Sequence, residues 1–311
     1  MRSFFALMLF FSSLFATPLQ AEQGNSKPRL LASVEPIAML LREVLGDTVT
    51  VDTFLLPSQT PHDASFTPGQ ARKVQRADLI VWLGAEAEPS LARLMTRARG
   101  AELALLSLPN VHRRTLLGTE GEQEQSRDEH HDHSADHDHD HQHAAGALDP
   151  HLWLAPDNML LLAQALPATL QPLGVAAESS QQAVDVFAER LKQQRQAISA
   201  QLKPFAQRPY ISHHDAWGYF AETFTLRAVT PISANTTLSP GSRRFLELLK
   251  KIKQQDIRCV MAEPESRRAL LERLCQGDCR IVEADPLGRS LGEVGYNALL
   301  QDLADRFVTC L

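Results

Sequence analysis

Cysteine is scarce in this chain: 311 residues contain four, and none precedes residue 259. The N-terminal region therefore lacks the cysteine through which an exported protein is tethered to lipid. Long apolar runs are also missing. The longest, Phe4–Phe15, is shorter than the roughly 20 residues a membrane span requires. Arg2 precedes it and Pro18 and the small Ala21 follow, so residues 1–21 have the layout of a secretory signal, with cleavage expected after Ala21. No basic patch exists to suggest a nucleic-acid partner. Neither HExxH nor G-x-S-x-G occurs, so the common metalloprotease and serine-hydrolase signatures are absent.

The cysteines that are present, Cys259, Cys275, Cys279 and Cys310, suit an oxidising compartment. Three pairings are possible, and the sequence does not choose among them. Cys275 and Cys279 bracket Gln-Gly-Asp, a turn that could close a local bond, leaving Cys259 to join Cys310. A zinc site built from these thiols is the rival reading, disfavoured because exported thiols usually oxidise.

Charge is concentrated in one place. Residues 120–143 read EGEQEQSRDEHHDHSADHDHDHQH and hold nine acids against Arg127, while the whole chain carries −6. The remainder is thus close to neutral. Seven of the twelve histidines fall in this tract: His130, His131, His133, His137, His139, His141 and His143. Neutral imidazole is the commonest protein ligand for zinc and its neighbours. Interleaving it with Asp132, Asp136, Asp138 and Asp140 makes a multidentate chelator rather than a solvated acidic loop.

Elsewhere short apolar runs alternate with amphipathic segments. Strands are expected at 29–34, 49–56, 79–84 and 103–108, and helices at 36–45, 67–77 and 91–99. LIVWLG, residues 79–84, is continuous enough for a strand buried on both faces. After the tract, a helix over 157–170 leads to 177–202, whose Val184, Phe187, Leu191, Ile198 and Leu202 keep helical spacing. About 25 residues, roughly 38 Å, is too long for an ordinary crossover helix and reads as a bridge between two lobes. The alternation then repeats, with strands at 209–212, 226–231, 257–262 and 280–283 and helices at 215–223, 240–255, 266–274 and 293–309. The expected fold is α/β: a lobe over 22–173 interrupted by the loop 120–146, a linker helix over 174–203, and a second lobe over 204–311. Ligands of open parallel sheets bind outside the carboxyl ends of strands, which here face a cleft between lobes.

Five histidines lie outside the tract. His62 sits in PSQTPHDASFTP, His151 in LDPHLWLAP, and His213 and His214 in YISHHDAWGYF, all at loops. His112, in PNVHRR, reads as plain surface. The chain resembles the zinc-specific solute-binding proteins of bacterial ABC importers, the ZnuA type. The resemblance rests on the signal, HDASFTPGQARKVQRADLIVWLG, a histidine-rich insertion before DPHLWLAP, HHDAWGYF, AEPES, DPLG and the terminal TCL.

That resemblance implies two four-stranded lobes on a rigid helix with zinc between them, bound by His62, His151 and His214. It implies a monomer in the periplasm that delivers zinc to a membrane permease driven by a cytoplasmic ATPase. It also implies a single disulfide, Cys259–Cys310, so the second expected pair, Cys275–Cys279, rests on local spacing alone. Some zinc members carry an acid immediately before the first histidine, where this chain has Pro61. Water, or a carboxylate from the other lobe, must then complete the site. Asp285 in DPLG matches a ligand position of manganese-binding relatives, although capping its own loop is an equal role. Glu263 is a candidate to orient a ligand. Manganese relatives place a glutamate where His214 stands; three imidazoles suit zinc. The alternatives are a manganese or iron receptor of the same fold, and an exported zinc hydrolase.

Overall fold

The computed structural model describes residues 27–63, 65–116, 146–233 and 240–311. The expected signal and the histidine tract fall outside the described residues.

Among the described residues, eight parallel strands form two sheets of four. The first contains β1 (Arg29–Ala32), β2 (Thr50–Thr53), β3 (Leu79–Trp82) and β4 (Ala101–Ala104) in the order β2-β1-β3-β4. The second repeats that order as β6-β5-β7-β8, with β5 (Ile211–Ser212), β6 (Thr230–Pro231), β7 (Cys259–Ala262) and β8 (Arg280–Glu283). Parallel neighbours require crossovers. In the first lobe α1 (Glu35–Leu45), α2 (Pro68–Arg76) and α3 (Pro89–Met95) supply them. In the second lobe α6 (Gly218–Thr223), α7 (Ser242–Gln254) and α8 (Arg268–Cys275) do the same. Three further helices, α4 (Pro156–Leu170), the 26-residue α5 (Ala177–Leu202) and the C-terminal α9 (Tyr296–Cys310), pack along the join.

Strand alternation sorts the side chains into layers. In β3, Leu79 and Val81 face a central core, while Ile80 and Trp82 join Leu31, Phe54 and Val74 in an outer layer. In β7, Cys259 and Met261 face the central core, and Val260 and Ala262 pack outward with Leu248 and Leu271. The five apolar residues expected along α5 are all buried in the central core, which also takes in α1 and α9. Each such side chain stabilises the fold by about 1.5–3 kcal/mol when buried. One apolar core therefore runs through both lobes.

Polar contacts reinforce the join. Glu43 of α1 accepts hydrogen bonds from the Asn297 amide (3.0 Å) and Asn297 Nδ2 (2.6 Å), placing a carboxylate at the positive end of α9. A Cβ on Gly295 would stand 2.5 Å from Glu43 Oε2, so a larger residue there would displace this carboxylate from the helix end. Trp153 Nε1 donates to Pro286 O (2.8 Å), and Tyr296 Oη donates to Trp153 O (2.6 Å).

Two departures from expectation have local causes. β4 ends at Ala104, not Leu108, because Leu105–Ser107 tighten into a 3-10 turn that turns Leu105 into the core. Cys259 bonds Cys310 across 51 residues, a loop worth roughly 4 kcal/mol in the chain-entropy view. The expected Cys275–Cys279 bond is a correction: both are thiols. Gln276 and Gly277 adopt φ of 51° and 88°, and the Asp278 amide donates to Cys275 O (2.8 Å). The backbone thus closes this turn without a bond between the sulfurs.

Candidate metal centre

His62 is presented by a turn. The Asp63 amide donates to Thr60 O (3.1 Å), enclosing Pro61 and His62 in a β-turn with proline at its favoured second position. Asp63 Oδ2 accepts from the Thr60 amide (2.6 Å), tightening it. Gln59 braces the preceding segment: its Oε1 accepts from the Leu56 amide (3.1 Å) and from Gln70 Nε2 (2.7 Å). Gln70 belongs to α2, which opens on a capping box with Thr67 and on Pro68, so the brace is tied to a fixed helix end.

His151 precedes a 3-10 turn, Leu152–Leu154, and is 2% exposed. Asp149, fully buried, accepts from its Nδ1 (2.7 Å) and its backbone amide (3.0 Å). The second Asp149 oxygen is paired with Arg114, whose guanidinium also reaches Glu222 (2.9 Å) in the other lobe. His214 follows β5. Its Nδ1 meets Glu263 Oε1 at 2.8 Å, and Glu263 follows β7. β5 and β7 are hydrogen-bonded parallel neighbours, so their carboxyl ends bring this histidine and this carboxylate together.

The three rings converge. Centroids lie 5.5 Å apart for His62–His151, 5.4 Å for His62–His214 and 5.0 Å for His151–His214. A carboxylate only accepts, so each Nδ1 carries its hydrogen toward Asp149 or Glu263. When both rings are neutral, as metal binding requires, their Nε2 atoms present lone pairs, and these face each other at 3.1 Å. Two imidazoles on one tetrahedral zinc, with bonds of 2.0–2.1 Å, hold their nitrogens about 3.3 Å apart. The donor set is thus spaced for a cation that would turn a repulsive contact into coordination.

The electrostatics match. Burial opposes charge on His214, but the adjoining Glu263 carboxylate outweighs it and holds the ring above its ordinary pKa. Burial alone would raise Glu263; the charge on His214 outweighs that and holds it below the carboxylate range. Hydrogen-bonded carboxylates of this kind fix the tautomer and orientation of metal-binding histidines.

Asp285 is not brought into the cluster. Its oxygens accept from the amides of Leu287 (3.1 Å) and Arg289 (2.7 Å) and from Arg289 Nε and Nη2 (both 3.0 Å). Arg289 also pairs with Glu265 (2.6 Å) and donates to Gln59 O (3.4 Å), reaching the His62 loop from the second lobe. Both acids raise its already high pKa against the opposing effect of burial. His112 stands apart beside Glu222 (3.3 Å). Asp149 and Arg114 had not been expected, although the D-x-H spacing of DPH was a readable signal for the former.

The family model for the periplasmic component A of a zinc-uptake complex, ZnuA, matches residues 30–310. The high-affinity zinc uptake system protein ZnuA of Paracoccus denitrificans is 31% identical over 315 residues, covering 95% of this chain and 94% of that one. Its Yersinia pestis namesake is 27% identical over 288 residues, 91% of each chain. A crystal structure of ZnuA superposes with a TM-score of 0.72 at 19% identity, over 92% of this chain and 99% of that one, which shows the common fold. With nearly its whole length matched, the chain belongs to the ZnuA family.

Proposed function

We propose that this chain is the zinc receptor of an ABC importer, exported to the periplasm with cleavage after Ala21 and acting there as a monomer. It binds zinc through His62, His151 and His214 and passes the ion to a membrane permease powered by a cytoplasmic ATPase. The observation that carries this reading is the pair of Nε2 atoms 3.1 Å apart, each ring backed by a carboxylate. Nitrogen-rich, oxygen-poor donors favour zinc over manganese, whose sites are built from oxygen. At this three-histidine position Asp149 and Glu263 hold the rings and do not bind the ion. A water completes the tetrahedron, since Pro61 offers no ligand and the Asp285 carboxylate is engaged by Arg289.

Three histidines and a water also describe catalytic zinc, which needs a general base facing the water. Asp149 and Glu263, the carboxylates at the rings, are turned to Nδ1 atoms, which favours binding over turnover.

Zinc titration against a competing chelator tests the assignment. One tight site is expected in the native chain, lost in His62→Ala, His151→Ala and His214→Ala. Unchanged affinity and stoichiometry in all three variants would refute it.

A further inference from the structure

His213 adjoins His214 but lies outside the three-histidine cluster. Its backbone is fixed: the amide donates to Met261 O (3.0 Å) and the carbonyl accepts from the Ser233 amide (3.2 Å). The residue is only 5% exposed, yet its ring Nδ1 has no hydrogen-bond partner among the described residues. Leaving a buried polar atom unpaired is costly, and such a group calls for an explanation. Donor atoms of His213, His214 and Glu263 all lie within 4.8 Å of one another, and each residue is buried. Two imidazoles and a carboxylate are a zinc-binding set.

We propose that His213, His214 and Glu263 form a second zinc position, held by the second lobe alone and exclusive of the first. This deepens the receptor reading and rests on it. Exclusion follows from His214, because a neutral imidazole has one free lone pair. In the first position Nε2 binds the ion and Nδ1–H points to Glu263. In the second, Nδ1 binds it, Nε2 takes up a proton from water, and Glu263 changes from acceptor to ligand. The proton leaving Nδ1 goes to water, so protons balance. Bonds to His62, His151 and His214 Nε2 break, and bonds to His213, His214 Nδ1 and Glu263 form. The ion thereby leaves the first lobe's ligands before it leaves the protein, and release proceeds in two stages.

The test uses the full-length mature chain with the seven tract histidines exchanged for asparagine, so that they do not compete. X-ray absorption at one zinc per chain is expected to show three imidazoles; failure there overturns the receptor reading itself. His62→Ala with His151→Ala is expected to retain one weaker zinc, bound by two imidazoles and a carboxylate oxygen. Adding His213→Gln, which keeps a polar side chain, should weaken that zinc by a further ~10-fold or more, with the circular dichroism unchanged. If the double variant binds zinc no better than the triple variant, or shows no second imidazole, the second position does not exist.

Discussion

Glu88 is the acid whose burial has the plainest thermodynamic consequence. The Leu83 amide donates to it (2.7 Å), and the nearby Ser33 hydroxyl and Gly84 amide also favour its charge. Burial outweighs them and raises its pKa from 4.5 to about 7. The folded state then binds more protons than the unfolded chain between those values, so this group lowers stability as pH rises from about 4.5 through 7. The loss is on the order of 3 kcal/mol and is complete above that window. Glu88→Gln keeps an acceptor for Leu83 and removes the charge. In denaturant titrations of metal-free protein, the variant is expected to match the native chain near pH 5 and exceed it at pH 8. A native chain that gains on the variant as pH rises contradicts this. At the same scale, Asp149 escaped the sequence reading although His151 did not. A ligand is marked by its type and loop position, whereas its orienting acid is defined by a contact that only the folded chain makes. Asp285 shows the converse. Its motif matched a ligand position, but the partner that claims it is Arg289, and nothing in the spacing reveals which way that guanidinium turns.

Elements were more legible than contacts. β3 is announced by an unbroken apolar run and α5 by five apolar residues at helical spacing, because burial on two faces or on one stripe dictates those patterns. β4 was misplaced because Leu103–Leu108 is equally apolar whether it continues as strand or bends, and periodicity does not see a 3-10 turn. The Cys275–Cys279 turn was recognised, but spacing does not distinguish bonded sulfurs from neighbouring thiols. The histidine tract lies outside the described residues, yet its flanks are informative. Thr115 pairs with Leu148, the Leu116 amide donates to Ala147 O (2.9 Å), and the Gly146 amide donates to Leu116 O (3.2 Å). Both ends of the insertion are therefore clasped before the tract begins. Deleting Glu120–His143 is expected to leave the tight zinc site and the melting temperature intact while removing the weaker zinc ions. The tract's sequence offers no apolar side chain larger than alanine around which to pack, and ordering each residue about such ions would cost roughly 1–2 kcal/mol. Loss of the tight site in equilibrium dialysis would show that the tract belongs to the primary chelate.

For the molecule as a whole, the continuous core sets what metal binding can move. Inner faces of both sheets, α1, α5 and α9 share one apolar cluster, and Glu43, Trp153 and Tyr296 add polar ties across the join. Wide parting of the lobes would expose that cluster at about 25 cal/mol per Å². Small-angle scattering of empty and zinc-loaded protein is accordingly expected to superpose, with a radius of gyration unchanged within error; a clear contraction on loading would show that the core yields. The repeated strand–helix alternation was readable from the sequence, but the sharing of one core was not, since it depends on how two similar halves are set against each other.

The His62 loop is placed differently from that core. Gln59 is gripped by α2 on one side and by Arg289 on the other, and the adjoining Pro57 and Ser58 border a cavity of about 540 Å³ shared with Glu265, Asp285 and Arg289. Open space lies on that flank, whereas His151 and His214 are buried. The permease proposed above would therefore tell a full receptor from an empty one by touch and not by silhouette, feeling whether one short rim of the cleft is tethered to the ion beneath it.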